Sequence, residues 1–562
     1  MVGGGGVAEH TGRDVLVEVL ESEGVRHVFG NPGTTELPLM DALAGRDGPR
    51  YVLGLQEAAV VGMADGYAES TGRPAFVNLH TSAGLGNAIG NLTCAQANRA
   101  PLVVTAGQQD RRHLFADPLL AGDLVGLARP VSKWGHEIRG PGELGTYLRR
   151  AFRDAETPPA GPVFCSIPMD VLDEEAPPAP PPSRRDGRAV AGSLGELADL
   201  LAAAAPDRLA IVAGDDVAGS CAVDALVAVA EALGAPVFGS PFHGTTVFPA
   251  AHPLWRGMLG RSAAGVRKAL SGFERVFLVG GQAFMSFPYT PGSPLPEDAE
   301  LLHLSSDPTQ VGRTWPTDLG LVGDIGASLE ALLPLLRERA PAGGADRAAD
   351  ALAAARERRA GEMAEADAQA LANYPATPMD PGSAVHALLR ALPDDIPVVD
   401  ESVTTAAHVR RLHRSTGPGQ YFFSRGGGLG WGMPAAVGVS LGLGGGPVLC
   451  VVGDGAAMYT PQALWTAARE QLPVVVAVVD NAQYLILKNA LRQRGKDSAA
   501  TGRFVGMDLD RPRVDFCALA GSLGVDATYV DKAGDVGDAA RAAFASGRPH
   551  LLHLPIGTPT PQ

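Results

Sequence analysis

Cysteine is scarce in this sequence and is never arranged in close pairs. The 562 residues contain five cysteines, and no two of them are separated by only two residues. Closely spaced cysteines are typical of disulfide frameworks and of structural zinc sites. The sequence therefore indicates neither kind of cross-link.

Long apolar runs and clusters of basic residues are also missing. No stretch is long and apolar enough to cross a bilayer, and the Gly-rich residues 1–10 lack the basic and apolar regions of a secretory signal. The formal net charge is −15 without any run of Lys or Arg, which argues against a nucleic-acid partner. These absences predict a cytoplasmic protein that binds neither membranes nor nucleic acid.

The sequence does contain enough material for several domains. Hydrophobic residues make up 46% of it and charged residues 19%, a normal globular balance, and a chain of 562 residues is expected to form two to four domains. A Pro- and charge-rich stretch at 174–189 has the composition of an extended tether. A second break, at 337–380, contains an Ala/Arg/Glu helix over 345–372 and ends in prolines. The breaks predict three domains, at 8–182, 190–340 and 375–558.

Each segment alternates short β-branched apolar runs with amphipathic helical patterns. The predicted strands are HVFG, YVLGL, AFVNLH, PLVVTAG and PVFCSIP in the first segment, LAIVAG, PVFGS and RVFLVGG in the second, and IPVVDES, VLCVVGD, PVVVAVVDN and HLLHLP in the third. Strands that alternate with helices in this way form mainly parallel sheets. The sequence predicts three α/β domains, each doubly wound around a parallel sheet.

The strongest chemical signal lies where two strands of the third segment end. VLCVVGD leads into Gly453, Asp454 and Gly455, and the next predicted strand ends at Asn481. Both polar residues are expected at the carboxyl ends of adjacent parallel strands, where such sheets bind ligands. A carboxylate and an amide oxygen suit Mg²⁺ that holds phosphate oxygens, and glycines let the backbone turn sharply and approach a diphosphate. GDG alone favours a simple tight turn, but the helix and the Asn at this spacing reverse that and favour a cofactor.

GDG followed at this distance by Asn resembles the thiamine diphosphate motif of the pyruvate decarboxylase and acetolactate synthase superfamily. The resemblance implies that Asp454, Asn481 and the backbone carbonyl of Gln483 hold Mg²⁺. The superfamily usually has Asn-Asn where this chain has Asp480 and Asn481, so the second, liganding position is kept. The domains would then be the pyrimidine-binding, the central Rossmann-like and the diphosphate-binding domain.

The first segment contains a carboxylate that thiamine chemistry requires. YVLGLQEAAVVGMADGYAESTG places Glu57 between a predicted strand and an Ala/Gly-rich helix, among small and apolar neighbours that argue for burial. An isolated Glu is normally a solvated surface residue, but Glu57 aligns with the superfamily's activating glutamate. The resemblance implies that Glu57 contacts the aminopyrimidine of the cofactor, which then acts as the electron sink when CO₂ leaves.

Within the superfamily, the sequence is most similar to the benzoylformate decarboxylases. The resemblance covers nearly the whole chain and is carried by the phrases FGNPGTTELP, LQEAAVVGMADGYA, NLHTSAGLGNAIGNL, PLVVTAGQQ and GGLGWGMPAA. It implies non-oxidative decarboxylation of a 2-oxo acid to an aldehyde and CO₂, with thiamine diphosphate and Mg²⁺ as cofactors. It also implies a homotetramer whose active sites lie at dimer interfaces.

Three residues of the first segment receive roles from this resemblance. It makes His80 an acid/base, places Asn87 near the cofactor, and puts Thr34 where the family has a serine that contacts the substrate carboxylate. Residue type alone leaves simpler interpretations open. A single His at the end of a strand is often structural, and Thr34 would equally serve as a helix N-cap.

Residues of the third segment are expected around the cofactor itself. By the resemblance, Leu429 holds the cofactor in its bent shape and the carbonyl of Gly427 accepts from its amino group. Val403 and Thr404, in DESVTT, approach the diphosphate from the start of a helix.

The substrate pocket is expected to be apolar. The resemblance assigns Leu119, Leu120 and Phe423 to it, and Ile486 and Leu487 fall where the pocket is shaped. By residue type alone, Leu119, Leu120, Phe423 and Leu429 could be ordinary core residues, and only the resemblance favours the pocket. An apolar pocket favours aromatic or branched 2-oxo acids, although YLILK is closer to acetolactate-synthase-like relatives.

Two residues depart from the benzoylformate decarboxylase pattern. Phe287 stands where the family has a second catalytic histidine, in GGQAFMSFPYTPG. Without this histidine, the enamine that remains after CO₂ is lost is expected to be protonated slowly and to attack a second carbonyl compound instead. Arg425 is an unusual charge near the site; it pairs either with a substrate carboxylate or, as we favour, with an acid of the protein.

Three alternative functions fit the sequence less well. An acetolactate-synthase-like carboligase typically has R-H-E-Q and TSGPGATN where this chain has LQEAA and HTSAGLGN. A cofactor-binding scaffold without activity would not need Glu57 beside Asp454 and Asn481. A nicotinamide dehydrogenase would need a ribose-binding acid that does not follow GGGLGWG at the expected distance. Nothing in the sequence requires a flavin.

Overall fold

Three six-stranded parallel sheets follow one another in the computed structural model, which describes residues 10–558. Residues 8 and 9, with which the first predicted domain begins, lie outside this range. The three sheets and the helices on their faces confirm the predicted fold of three doubly wound α/β domains.

Residues 27–168 build the first sheet. Its strands are β1 (His27–Gly30), β2 (Arg50–Leu53), β3 (Ala75–Leu79), β4 (Leu102–Gln108), β5 (Gly135–Glu137) and β6 (Val163–Pro168), in the order β2-β1-β3-β4-β6-β5. Its helices are α1 (Gly12–Ser22), α2 (Leu37–Ala44), α3 (Glu57–Thr71), α4 (Thr81–Asn98), α5 (Leu124–Ala128), α6 (Pro141–Glu156) and α7 (Met169–Asp173), with short 3₁₀ helices at Thr34–Glu36, Leu114–Ala116 and Arg129–Val131. Val103 packs with α1 and α6, whereas Val104 packs with α3 and α4. Successive strand residues therefore feed two cores, as a doubly wound sheet requires.

Residues 209–322 build the second sheet. Its strands are β7 (Leu209–Ala213), β8 (Val237–Gly239), β9 (Trp255–Met258), β10 (Arg275–Val279), β11 (Glu300–Ser305) and β12 (Leu319–Val322), in the order β12-β11-β10-β7-β8-β9. Its helices are α8 (Leu194–Ala203), α9 (Asp216–Gly219), α10 (Val223–Leu233), α11 (Ala263–Leu270) and α12 (Ile325–Arg339), and α13 (Gly344–Ala372) follows. The predicted helix over 345–372 is thus confirmed. The predicted tether at 174–189 is also confirmed, because it contains no helix and only an isolated bridge at Glu175.

Residues 398–555 build the third sheet. Its strands are β13 (Val398–Glu401), β14 (Tyr421–Phe422), β15 (Val448–Gly453), β16 (Val474–Asp480), β17 (Asp526–Tyr529) and β18 (His550–Pro555), in the order β14-β13-β15-β16-β18-β17. Its helices are α14 (Pro381–Arg390), α15 (Ala406–Leu412), α16 (Gly432–Gly442), α17 (Asp454–Ala457), α18 (Ala463–Arg469), α19 (Leu485–Gln493), α20 (Asp497–Thr501), α21 (Phe516–Ser522) and α22 (Ala533–Ala545).

Helices α3 and α16 join the first and third domains at very close range. A Cβ at Gly66 would lie 2.2 Å from the carbonyl oxygen of Ala435, and one at Gly438 would lie 1.9 Å from that of Met63. The apolar cores of the two domains are continuous across this contact. Because Glu57 is the first residue of α3, this packing fixes Glu57 relative to the third domain.

Among residues 10–558, no helix combines the length and the apolarity that crossing a membrane requires.

Candidate active site

Two neighbouring strands of the third sheet end in polar residues, as predicted. Asp454 follows β15 directly and Asn481 follows β16, and the two strands pair in parallel with Gly453 beside Val479. Asp454 is buried, and its Oδ2 has no hydrogen-bond partner within residues 10–558. A buried carboxylate oxygen without a partner is costly, and a cation would satisfy it.

Asp454 and Asp480 differ in how their charges are compensated. Burial, reinforced by the charge of Asp480, raises the pKa of Asp454 well above its ordinary range. Burial also acts to raise the pKa of Asp480, but hydrogen bonds with His553 Nε2 and Arg513 Nη2, both at 2.8 Å, outweigh it and lower that pKa. The family's usual Asn is thus replaced by an acid whose partners neutralise it. The charge that lacks a partner is that of Asp454.

The loop after β16 supplies the other candidate metal ligands. Ala482 has a φ of +54°, and Asn481 Oδ1 accepts from the backbone N–H of Gln483 at 3.1 Å. Within residues 10–558, no group of three or more His, Cys, Asp or Glu side chains is placed to hold a metal. A site here would combine one carboxylate with amide and carbonyl oxygens, which is a set that Mg²⁺ accepts. The residues therefore fit Mg²⁺.

The glycines of GDG do not adopt the left-handed backbone that favours glycine. Gly453 has a φ of −74°, and Gly455 lies inside α17 without a positive φ, so the turn itself does not require glycine, and the close approach to a diphosphate stays a prediction. A Cβ at Gly455 would stand 2.7 Å from the ring of Tyr484, whereas nothing comes within 3.9 Å of one at Gly453. Close packing explains Gly455, and Gly453 leaves open space at the end of the strand.

A cavity of about 640 Å³ opens at these strand ends, between the second and third domains. The predicted residues that line it are Phe287, Val403, Thr404, Phe423, Gly427, Leu429, Asn481 and Ile486. Val403 and Thr404 precede α15 rather than begin it, and Val403 has a φ of +52°. Leu487 does not line the cavity in this chain; Leu485 does.

Glu401, which was not predicted from the sequence, fixes the backbone of residues 430–432, directly after Leu429. It is buried at the end of β13. Its Oε1 accepts from the N–H groups of Gly430 and Trp431 at 2.8 and 3.1 Å, and its Oε2 accepts from Gly432 at 3.0 Å. Burial raises the pKa of Glu401 to about 7 despite these hydrogen bonds. Glu401 could have been found from the sequence as an acid at the carboxyl end of the predicted strand IPVVDES.

Replacing Glu401 with Ala is expected to weaken thiamine diphosphate binding about tenfold. Three buried N–H groups would lose their acceptor, which costs about 1–3 kcal/mol for each unsatisfied group, and the loop that carries Leu429 would loosen. Cofactor titration followed by thermal unfolding measures the change, with Glu357→Ala, an exposed Glu outside the cavity, as the control. Unchanged cofactor affinity in the Glu401 variant would show that the loop does not depend on this anchor.

Glu57 is the first residue of α3 and is buried, with 8% of its surface exposed. Asn31 Nδ2 donates to its Oε1 at 3.1 Å, and Asn87 Nδ2 donates to its Oε2 at 3.0 Å. The interpretation of Glu57 as a solvated surface residue is therefore wrong. Two neutral amides orient the carboxylate without neutralising it, so it can still exchange a proton.

His80 is held from one side by a buried acid. Its Nδ1 lies 2.9 Å from Oε2 of Glu36, which also accepts from the backbone N–H of Gly33 at 2.9 Å. Glu36 Oε1 accepts from the N–H of Gly107 at 3.1 Å. Nε2 of His80 makes no hydrogen bond within the described part of the chain, so this nitrogen can meet a ligand. Glu36, in GTTELP, was not singled out from the sequence.

Replacing Glu36 with Gln is expected to lower kcat about 10–100-fold with a smaller effect on KM. The amide would keep the volume but would present an N–H to Nδ1 of His80, which disturbs the tautomer that an acceptor there selects. The pH profile of kcat should shift with it. The matched control is Glu143→Gln, which removes the acid 3.1 Å from His136 and leaves the pair of Glu36 and His80 intact. Equal effects of the two variants would argue against a special role for the pair of Glu36 and His80.

Of the remaining first-domain candidates, Thr34 and Leu119 are exposed in a single chain and Leu120 is half-buried. Thr34 begins a 3₁₀ helix whose N-cap is Gly33, so the interpretation of Thr34 as an N-cap is wrong. Leu119 is 85% exposed, and the carbonyl of Leu120 accepts from Ser82 Oγ at 3.1 Å.

No first-domain candidate lines the cavity of the third domain. One chain thus holds two partial sites, one around Glu57 and His80 and the other around Asp454 and Asn481.

Arg425 is engaged with the protein itself. Its Nε lies 3.1 Å from Oδ2 of Asp215, and both side chains are more than 90% buried. The favoured interpretation, a structural ion pair, is confirmed.

Comparisons with known proteins agree with this layout. Models of the thiamine pyrophosphate (thiamine diphosphate) enzymes match the chain in three places: the N-terminal binding domain over residues 10–118, the central domain over 194–332 and the C-terminal binding domain over 402–554. A benzoylformate decarboxylase of Pseudomonas aeruginosa is 36% identical, with 97% of this chain and 98% of that protein aligned. A putative acetolactate synthase large subunit of Mycobacterium tuberculosis is 30% identical, with 97% and 99% aligned.

A solved structure shares the whole arrangement of domains. The thiamine diphosphate-dependent 4-hydroxybenzoylformate decarboxylase of Rhodococcus jostii RHA1 superposes with a TM-score of 0.85 at 32% identity, covering 98% of this chain and 99% of that one. The similarity is therefore spread over all three sheets.

Proposed function

The chain belongs to the thiamine pyrophosphate enzyme family, and from that premise we propose that it decarboxylates a 2-oxo acid to an aldehyde and CO₂ without oxidation. The observation that carries the proposal is Glu57, a buried carboxylate oriented by two amides at the start of α3. A scaffold protein would not need such a group. Thiamine diphosphate, when bound, supplies the electron sink that a 2-oxo acid needs in order to lose CO₂.

The residues that would hold the cofactor come from the two partial sites. Asp454, Asn481 and the carbonyl of Gln483 would hold Mg²⁺, and with it the diphosphate. The support for this is the buried Oδ2 of Asp454, which lacks a partner. Glu57 and Asn87 would contact the aminopyrimidine. Four further residues, all lining the cavity, would surround the cofactor: Val403, Thr404, Gly427 and Leu429.

Three side chains would act on protons and on the substrate. Glu57 would exchange a proton with the aminopyrimidine, for which its buried position is suited. His80, oriented through Nδ1 by Glu36, would deliver a proton from Nε2 to the product. The hydroxyl of Thr34 would contact the substrate carboxylate. Apolar walls such as Phe423 would exclude water and favour loss of the carboxylate charge as CO₂.

We further propose a homotetramer in which the first domain of one chain meets the third domain of another. The two partial sites of one chain share no cavity, and Leu119 and Phe115, both in the segment between β4 and α5, are 85% and 88% exposed. A partner that covers this loop would complete the site. A monomer that retains full activity at high dilution would contradict this assembly.

The candidate substrates can be ranked by the rate at which the protein releases CO₂ from each of them. Purified protein with thiamine diphosphate and Mg²⁺ would be supplied with benzoylformate, phenylpyruvate, branched 2-oxo acids and pyruvate. The aromatic and branched acids are expected to react fastest, because Phe423 and Ile486 are apolar. If none of these acids releases CO₂, the result argues against the proposed decarboxylase.

A second candidate function is an acetolactate-synthase-like carboligase. Phe287 favours it, because this residue lines the cavity and cannot donate a proton. Slow protonation would leave time for a second carbonyl compound to react.

If the carboligase is the function, replacing Phe287 with His is expected to lower the fraction of hydroxyketone in the products about fivefold, since a positioned acid would speed protonation. Chromatography of the products measures the ratio of aldehyde to hydroxyketone. Tyr289→His, at an exposed position two residues away and outside the cavity, is the matched control. An unchanged ratio in the Phe287 variant, or a wild-type protein that forms no hydroxyketone at all, would contradict this role for position 287.

A further inference from the structure

Helix α19 presents one face to the cavity, and this face changes character along its length. The residues of α19 and its C-cap that line the cavity are Leu485, Ile486, Asn489, Ala490, Gln493 and Arg494. They recur at intervals of four and therefore share one side of the helix. The first turn, next to the candidate metal site, is apolar. The following turns add the amides of Asn489 and Gln493, and the last position is a cation.

The second domain also contributes an apolar side chain and an arginine to the same cavity. Phe287 is aromatic, and its backbone N–H donates to the carbonyl of Arg261 at 2.7 Å, which ties the two residues together. Arg261 and Ser262 also line the cavity. Two arginines from two different domains therefore border the same space.

These two arginines have no anionic partner in the protein. Within residues 10–558, the side chains of Arg261 and Arg494 make neither an ion pair nor a hydrogen bond, and both are exposed. Arg410, which lines the same cavity, is by contrast engaged, since its Nη2 donates to the carbonyl of His243 at 2.8 Å.

The acids that line the cavity do not compensate the two arginines. Asp400 accepts from Ser402 Oγ at 2.6 Å and from the hydroxyl of Tyr421 at 2.8 Å, and Glu401 holds three backbone N–H groups. The cavity wall is therefore apolar along the first turn of α19 and carries uncompensated positive charge further along the helix.

The length of α19 sets the scale of a matching ligand. An α-helix rises 1.5 Å per residue, so Arg494 lies about 12 Å along the axis from Ile486. A small 2-oxo acid such as pyruvate would leave most of this wall uncovered. An acyl chain of about 10 Å would follow the wall from its apolar end to its cationic end.

We propose that the cavity binds a 2-oxo acid whose acyl chain ends in a second anionic group, which Arg494 and Arg261 recognise. The proposal rests on the proposed function and adds the substrate class to it. The chain would pass Ile486 and Phe287, and the distal carboxylate, or a phosphate or sulfonate of the same charge, would meet the two arginines. Cations that border an apolar cleft attract and orient such anions.

A matched pair of acids tests the proposal with the holoenzyme. 2-Oxodecanoate and 2-oxodecanedioate have the same length and differ only in a terminal methyl or carboxylate. The diacid is expected to have a kcat/KM about tenfold higher at low ionic strength, and salt should reduce this preference because the charges are exposed. Equal values, or a preference for the monoacid, would overturn the proposal.

Two variants locate the recognition. Arg494→Gln and Arg261→Gln are each expected to reduce kcat/KM for the diacid about fivefold and to leave the monoacid within about twofold. Arg503→Gln, an exposed arginine outside the cavity, is the control and should change neither. A diacid preference that survives in both cavity variants would overturn the assignment to these arginines.

A measurement of the affinity for both acids separates failure of this proposal from failure of the proposed function. If the wild type releases CO₂ from neither C10 acid and from none of the acids used to test the proposed function, that function fails, and calorimetric titration of both C10 acids into the Glu57→Gln holoenzyme still decides the substrate class. A diacid Kd about fivefold lower, with that advantage lost on adding Arg494→Gln, supports the anionic subsite. Equal Kd values overturn it.

Discussion

Replacing Glu57 with Gln is expected to lower kcat at least about 1,000-fold while the affinity for thiamine diphosphate and Mg²⁺ changes only a few-fold. Gln has the same shape but cannot exchange a proton. Its amide can still bond with Asn31 and Asn87, which hold the two carboxylate oxygens at 3.1 and 3.0 Å, because either Asn can reverse its own amide. The loss should therefore fall on the chemical step rather than on binding.

Steady-state CO₂ release and a cofactor titration, performed on the same preparation, separate the two effects. Asn87→Ala is the informative companion, because it removes one of the two orienting amides and leaves the carboxylate. It is expected to lose activity only about tenfold. Substantial activity in Glu57→Gln would refute the assigned role. A loss of cofactor binding as large as the loss of turnover would assign Glu57 to structure instead.

Replacing Asp454 with Asn should have opposite effects on the empty and on the loaded protein. The empty protein is expected to become more stable by on the order of 1 kcal/mol. The reason is that the variant removes a buried charge that has no partner at Oδ2 and is repelled by Asp480. Affinity for Mg²⁺ with thiamine diphosphate is expected to fall at least about 100-fold, since the only carboxylate of the candidate metal set is lost.

Thermal unfolding with and without both cofactors measures both halves of this prediction. A ligand present at 100 times its Kd stabilises a protein by about 2.7 kcal/mol, and this stabilisation should disappear in the variant. Asp480→Asn is the matched control. It restores the family's usual residue and should destabilise the empty protein, because Arg513 and His553 lose their acceptor, while the cofactors still stabilise it. An Asp454 variant with the full cofactor-induced shift would contradict the metal assignment.

The interior of each sheet could be predicted from the sequence, whereas most of the edges could not. Twelve strands were predicted as apolar runs, and the strands that were missed are β5, β9, β11, β12, β14 and β17. All but β11 lie at the edge of a sheet, where one side has no neighbour, strands are short, and apolar patterning is weak. Strand β11 lies inside its sheet and was missed although Leu301, Leu302 and Leu304 are fully buried.

The candidate site also contains residues that could be predicted from the sequence and residues that could not. Asp454, Asn481 and Glu57 could be found because each follows a recognisable strand or precedes a recognisable helix. Glu36 and Glu401 were missed because their roles depend on tertiary contacts with residues distant in sequence. Glu36 meets His80 and Gly107, and Glu401 meets backbone N–H groups 29–31 positions further along the chain. Spacing along a sequence does not reveal such contacts.

The distribution of the candidate residues over two partial sites could not be predicted from spacing either. Local sequence specifies where each strand ends, but not which ends share a cavity. Phe287 and Ile486 lie about 200 residues apart and line the same cavity, whereas Glu57, although fixed by the contact of α3 with α16, does not. The sequence resemblance assigned all of these residues to one site, which in this account requires a second chain.

The stoichiometry of CO₂ and aldehyde tests the central claim most directly. Purified protein would be incubated with benzoylformate in the presence and absence of thiamine diphosphate and Mg²⁺, and both products would be quantified. We expect release of CO₂ to require both cofactors and to be matched by an equal amount of benzaldehyde. CO₂ accompanied by hydroxyketone in place of aldehyde would identify a carboligase. CO₂ release that is independent of thiamine diphosphate would contradict the account altogether.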